Sequence, residues 1–118
     1  MSPIQHHPIP NALSIAGVDP SGGAGLLADL KTFSALGAYG CGVVTALTAQ
    51  NTRAVTGIHE VPPDFLAQQL DTLFDDVRID TVKIGMLASA ELIAVVAAAL
   101  RRHRPRFVVL DPVMVAKS

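Results

Sequence analysis

The sequence predicts an α/β fold built on a mainly parallel sheet. Three observations carry this. From Asn11 onward, short apolar runs alternate with longer amphipathic ones, the pattern of repeated βα units. Each short run gives way to a polar or Gly-rich loop. The last run, Phe107-Val108-Val109-Leu110-Asp111, is apolar almost throughout, as strands buried on both faces of a parallel sheet are.

Residues 1–10 begin Met1-Ser2-Pro3-Ile4-Gln5-His6-His7-Pro8, without the basic n-region and long apolar stretch of a signal peptide. They read as a short disordered leader, and residues 11–118 as the domain. The run Ala12 to Val18 is short and bounded by turn residues, so it forms a strand that enters the loop Asp19-Pro20-Ser21-Gly22-Gly23. A helix follows from about Ala24 to Leu36. Gly37 suits the left-handed position that ends it. The next strand is Gly40 to Leu47, followed by a polar loop, Thr48 to Arg53, and a shorter β segment around Val55 to Val61. Pro62-Pro63-Asp64 then opens a helix in which Leu66, Leu70, Leu73 and Val77 recur at helical spacing, flanked by Phe65 and Phe74, a stripe that should pack on the sheet. Thr81 to Gly85 is a third core strand. Met86-Leu87-Ala88 turns into a helix capped by Ser89, with Glu91 in its first turn and Arg101-Arg102-His103-Arg104 at its end. Phe107 to Asp111 is the fourth core strand, and a loop runs from Pro112 to Ser118. A doubly wound sheet normally follows a strand with a covering helix, so the pattern breaks off after the fourth core strand.

Composition excludes several classes of function. The net charge of -1 creates no field for nucleic acid or an anionic membrane surface. One cysteine, Cys41, cannot build a disulfide framework or a CxxC site. A reducing, cytoplasmic setting fits these features. The four histidines lack metal-ligand spacing. The run Arg101 to Arg106 complements a helix C-terminus, and Asp71, Asp75 and Asp76 lie on the polar side of their helix.

In open α/β sheets ligands sit beyond the carboxyl ends of the strands. Four loops converge there: Gly17 to Gly25, Gln50-Asn51-Thr52, Gly85-Met86, and Asp111 to Lys117. The Gly-rich loop brings backbone N–H groups to a helix start, where the dipole favours negative charge, although a tight strand-to-helix turn explains it equally well. A Walker A motif is absent, because the Lys117-Ser118 pair follows Ala116. Gly23-Ala24-Gly25-Leu26-Leu27-Ala28 formally fits the dinucleotide fingerprint GxGxxA, but the end of the second strand offers Gln50 and Asn51 where that fingerprint needs a carboxylate. Gln50 carries both an amide donor and an acceptor, suited to a heteroaromatic edge. Its ordinary role would be a solvated loop residue. Met86 is an apolar wall or simply core, and Asp29 is a ligand group or an unremarkable surface acid. Asp111 and Lys117 flank a Pro-bearing loop, a pairing that suits metal-bound water and a phosphate.

Ile15 to Gly25, Ala28-Asp29-Leu30-Lys31-Thr32 and Phe33 to Gly40 together resemble the start of hydroxymethylpyrimidine/phosphomethylpyrimidine kinases. The resemblance continues in order through Thr45 to Thr52, Lys83-Ile84-Gly85-Met86-Leu87 and Leu110 to Ser118. It implies a three-layer ribokinase-like fold and transfer of the γ-phosphoryl group of ATP, with Mg²⁺, to 4-amino-5-hydroxymethyl-2-methylpyrimidine and then to its monophosphate, in thiamine biosynthesis. Gly17, Ala24, Asp29, Gln50, Met86 and Val113 match positions lining the pyrimidine pocket. Asp111 and Lys117 match the phosphate and Mg²⁺ side, with no direct metal ligand. The family's second half carries a Gly-rich anion hole and much of the adenine pocket, so the resemblance places no catalytic residue within this chain. The implied partner is the small pyrimidine, with no nucleic acid or membrane, and a longer protein would be compatible with a homodimer. A fragment without enzymatic activity, or part of a related pyridoxal or sugar kinase, are the alternatives.

Overall fold

The computed structural model describes residues 8–111 of the chain. Eight elements follow in order: β1 (Asn11–Val18), α1 (Gly25–Ala35), β2 (Tyr39–Gln50), β3 (Val55–Glu60), α2 (Pro63–Asp76), β4 (Thr81–Ile84), α3 (Ala90–His103) and β5 (Phe107–Leu110). The sheet order is β3-β2-β1-β4-β5. Among the described residues, β3, an edge strand, is the one strand antiparallel to its neighbour.

The alternation of side chains along β1 decides how the helices are placed. One face of β1 carries the small residues Ala12, Ser14 and Ala16, and the other carries Leu13 and Ile15, because successive side chains point to opposite faces. The register sets Ser14 beside Gly42 and Lys83, and Ile15 beside Val43 and Ile84. On the small-residue face α1 lies close against the strands. A Cβ on Gly42 would stand 2.7 Å from the Leu26 side chain, so this glycine sets how near the helix can come. On the opposite face, Leu13, Ile15, Val43, Val82 and Ile84 meet Leu66 and Leu70 of α2 and Leu92, Val96 and Ala99 of α3. Leu66 and Leu70 are fully buried, each stabilising the fold by roughly 1.5–3 kcal/mol. The result is the expected three-layer arrangement, with the predicted stripe of α2 turned to the sheet.

The helix ends use the predicted signals. Pro63 stands in the first turn of α2. The Ser89 hydroxyl accepts the Leu92 amide at 3.2 Å, and Gly37 takes the left-handed backbone. The basic residues Arg101, Arg102 and His103 occupy the last turn of α3. Arg102 also reaches Asp71 of α2 at 2.6 Å, and the His103 ring stacks on Phe74 with centroids 4.5 Å apart. These contacts clamp α2 to α3.

Several boundaries differ from the sequence reading by one residue or more. β2 continues to Gln50, through the stretch Thr48 to Gln50 that composition marks as loop, because β3 folds back and pairs with Ala46 to Gln50. α1 starts at Gly25, one residue later than expected. The Pro10 carbonyl accepts the Tyr39 amide at 2.8 Å, so pairing with β2 reaches one residue into the stretch read as leader.

Where β3 stops, a side chain completes the edge of β2. Gln69 of α2 accepts the Val44 amide at 3.0 Å and donates to the Val44 carbonyl at 2.9 Å, one amide satisfying both backbone groups. Gln69→Ala is expected to lower stability by about 1–3 kcal/mol, the cost of leaving buried backbone groups without partners. Chemical denaturation measures it; a midpoint equal to that of the unaltered protein would show that water replaces the amide without loss.

Candidate functional site

Because β1, β2, β4 and β5 run parallel, their carboxyl ends gather at one edge of the sheet. The Gly85 amide donates to the Ile15 carbonyl at 2.9 Å and the Asp111 amide to the Ile84 carbonyl at 3.0 Å, which carries the ladder one residue past β4 and β5. Gln50, at the end of β2, therefore shares a rim with Gly17, Gly85, Met86 and Asp111. Three strand spacings, about 14 Å, separate the lines of β2 and β5. Met86 is 64% exposed, a position open to a ligand and outside the core. Val113 and Lys117 lie outside the described residues.

Gln50 is held from below by Thr48. The Thr48 hydroxyl lies 2.8 Å from the Val18 carbonyl oxygen and 3.1 Å from Gln50 Oε1. A hydroxyl has one proton, and a carbonyl oxygen can only accept. The Thr48 hydroxyl therefore donates to one of these two oxygens at a time, with the shorter contact to Val18.

The Gly-rich loop is organised by Asp19, which the sequence reading left without a role. Asp19 is buried. Its carboxylate accepts the Ser21 amide at 2.9 Å, the Ser21 hydroxyl at 2.7 Å, and the amides of Gly23 and Ala24 at 3.2 Å each. The Ser21 hydroxyl, with these backbone N–H groups, holds the carboxyl below its ordinary range against the opposing effect of burial. The amides that a pyrophosphate would need at the start of α1 are thus occupied by the protein's own carboxylate, which removes the physical basis of the dinucleotide fingerprint. Gly25 then turns the chain back over β1. Its φ is +63°, and a Cβ there would stand 2.4 Å from the Gly17 carbonyl oxygen, so only glycine fits. This fold-back puts Ala24 next to the end of β1.

Asp29 projects from α1 toward the sheet. Its carboxylate accepts the Ser14 hydroxyl at 2.7 Å and pairs with the Lys83 ammonium at 2.5 Å. The side chain is 12% exposed, so Asp29 belongs to the helix–sheet layer beneath the rim, where the small face of β1 and β2 lets α1 settle. Lys83 also lies 3.4 Å from the Asp111 carboxylate. Burial works against its charge, but the hydrogen bond and charge of Asp29, and then those of Asp111, hold the ammonium above its ordinary pKa. Lys83 was not among the predicted site residues. The signal was present: a lysine between Val82 and Ile84 in a core strand requires a buried anionic partner.

Among the described residues no group of three or more His, Cys, Asp or Glu side chains could enclose a metal ion. The Asp111 carboxylate, 62% exposed at the rim, fits contact with a hydrated divalent cation. None of the helices among the described residues is long and apolar enough to cross a membrane.

Comparison with known proteins gives a consistent result. Residues 19–118 match the family model described as phosphomethylpyrimidine kinase. A hydroxymethylpyrimidine/phosphomethylpyrimidine kinase of Salmonella typhimurium is 66% identical over 108 residues, covering 92% of this chain and 41% of the relative. The chain thus spans about two fifths of the length of such curated relatives. A crystal structure of phosphomethylpyrimidine kinase from Clostridium difficile superposes with a TM-score of 0.87 at 45% identity, over 92% of this chain and 47% of that one. Pyridoxal kinase from Staphylococcus aureus, in complex with AMP-PCP, superposes with a TM-score of 0.83 at 35% identity, over 94% of this chain and 41% of that one.

Proposed function

Because the chain belongs to the phosphomethylpyrimidine kinase family, whose model it matches over residues 19–118, we propose that it forms the pyrimidine-binding part of an ATP-dependent kinase. The substrate is 4-amino-5-hydroxymethyl-2-methylpyrimidine, followed by its monophosphate, in the cytoplasm. In the first reaction the hydroxymethyl oxygen attacks the γ-phosphorus, the bond from that phosphorus to the β–γ bridging oxygen breaks, and the hydroxyl proton is released, leaving ADP. Gly17, Ala24, Gln50 and Met86, with Val113 beyond the described residues, line the ring pocket. Asp29 supports that pocket from beneath. Asp111 and Lys117 face the phosphates. Mg²⁺, when bound, would neutralise charge on the phosphates, and the exposed carboxylate of Asp111 is the group that would meet its hydration shell.

The observation that carries this reading is the placement of Gln50. Its side-chain amide stands at the end of β2 beside the Thr48 hydroxyl, and it carries both an acceptor and donors suited to the amino-bearing edge of the pyrimidine. Losing one partner of a buried polar contact costs about 1–3 kcal/mol, or roughly 5- to 150-fold in affinity. Gln50→Ala, measured by calorimetry in this chain extended with the remaining portion of the Salmonella relative, is expected to weaken hydroxymethylpyrimidine binding by a factor in that range. Unchanged affinity would remove Gln50 from the pocket. The similarity to pyridoxal kinases supplies the second reading, and the same titration run with pyridoxal separates the two: tighter binding of pyridoxal than of the pyrimidine would select it.

A further inference from the structure

Lys83 is an unusual residue for its place. β4 is the inner neighbour of central β1, and the register sets Lys83 between Ser14 of β1 and Val109 of β5. The side chain leaves the sheet on the α1 face and is only 27% exposed. Replacing a buried ion pair by apolar residues of similar volume is often neutral or stabilising, so the fold has no need of a lysine here for packing alone. The contacts suggest what the charge is for. The Ser14 hydroxyl donates to Asp29 Oδ2, Asp29 Oδ1 binds Lys83 Nζ, and Nζ stands 3.4 Å from Asp111 Oδ2. One end of this line is buried and fixed by three elements, β1, α1 and β4. The other end is a carboxylate exposed at the rim, on the residue that follows β5.

We propose that Lys83 is a positioning residue which, anchored by Asp29 and Ser14, holds the carboxylate of Asp111 in one orientation at the rim. An aspartate exposed at a strand end otherwise samples its rotamers freely, and a carboxylate that must meet phosphate or hydrated metal loses rate when it is misplaced. The ammonium also offsets the charge of Asp111, which lowers the repulsion that an incoming phosphate would meet. This inference rests on the kinase reading above for its consequence in turnover, and on the geometry alone for its consequence in structure.

The test uses the chain extended with the remaining portion of the Salmonella relative, and the variant Lys83→Met. Since that change leaves Asp29 buried without a cation, Asp29→Asn/Lys83→Met serves as the partner variant that removes both charges and keeps the fold. The direct readout is the set of Hα–Hβ couplings of Asp111 in the protein without ligands. They are expected to report one dominant rotamer with Lys83 and an averaged set in either variant. In steady state, kcat of Lys83→Met is expected to fall about tenfold or more, and the loss should vanish in an Asp111→Asn background, because residues acting through one another are not additive. A retained single rotamer in Asp29→Asn/Lys83→Met, or losses at positions 83 and 111 that simply multiply, would overturn the proposal. If the extended protein phosphorylates neither the pyrimidine nor pyridoxal, the kinase reading fails while the couplings still decide whether Lys83 orients Asp111.

Discussion

Purified as the 118-residue chain, the protein is expected to form no ADP in response to the pyrimidine and to self-associate during gel filtration. Every residue of β5 is exposed, from Phe107 to Leu110, and β5 is an edge of the sheet among the described residues. Beside it lies an apolar groove of about 460 Å³ between β5 and α3, lined by residues that include Leu87, Ile93, Val108 and Leu110. An unpaired edge next to apolar surface is a template for association with other chains. Turnover suffers for a separate reason. Phosphoryl transfer depends on positioning and on donors aimed at developing charge, and each lost donor of that kind costs on the order of 10²–10³ in rate. The curated relatives extend well past this chain, which covers 41% of the Salmonella kinase, and the amides of Gly23 and Ala24 are committed to Asp19. Joining the remaining portion of that relative, in cis or as a separate polypeptide, is expected to restore pyrimidine-dependent ADP formation and a single elution peak. Sustained turnover by a monodisperse 118-residue protein would mean that the described rim already holds the phosphates.

Asp29→Ala is expected to be the most destabilising single substitution in the layer between α1 and the sheet. It strips Lys83 of its nearest anion and Ser14, fully buried, of the acceptor of its hydroxyl. Breaking one side of a buried pair costs 3–5 kcal/mol, and the partial exposure of Lys83 places this case near the lower end, at roughly 3 kcal/mol. For the extended protein, more than twice the length of this chain, that corresponds to a Tm lower by about 6–12 °C. Asp29→Asn keeps an acceptor for both neighbours and should lose less. Thermal unfolding of the extended protein followed by circular dichroism measures the order. A Tm for Asp29→Ala within about 2 °C of the unaltered protein would show that solvent compensates Lys83 fully, and Asp29 would then return to the role of a free pocket residue.

Local chemistry made much of the architecture legible. Ser89 and Gly37 marked helix ends because capping needs a side-chain acceptor or a left-handed residue at one position, whatever the rest of the fold does. The stripe Leu66, Leu70, Leu73 and Val77 marked the buried face of α2 by period alone. The end of β2 was not legible, since Thr48 and Gln50 are polar and become strand only by pairing with β3, which lies later in the chain.

By itself, the sequence determined the fold class, the order of the elements, the rim on which Gly17, Gln50, Met86 and Asp111 converge, and, through ordered family motifs, the kind of kinase to which the chain is related. These follow from periodicity, turn residues and the rule that parallel strands open their ligand site at their carboxyl ends. Tertiary structure alone decided what the charged residues do. Asp29 and Lys83 are 54 positions apart, Asp19 closes its own loop, and Gln69 completes an edge 25 positions away. A charge buried at an interface must find its partner wherever the packing brings one, and that partner is chosen by register and by the small residues that admit α1, not by any neighbour in the chain.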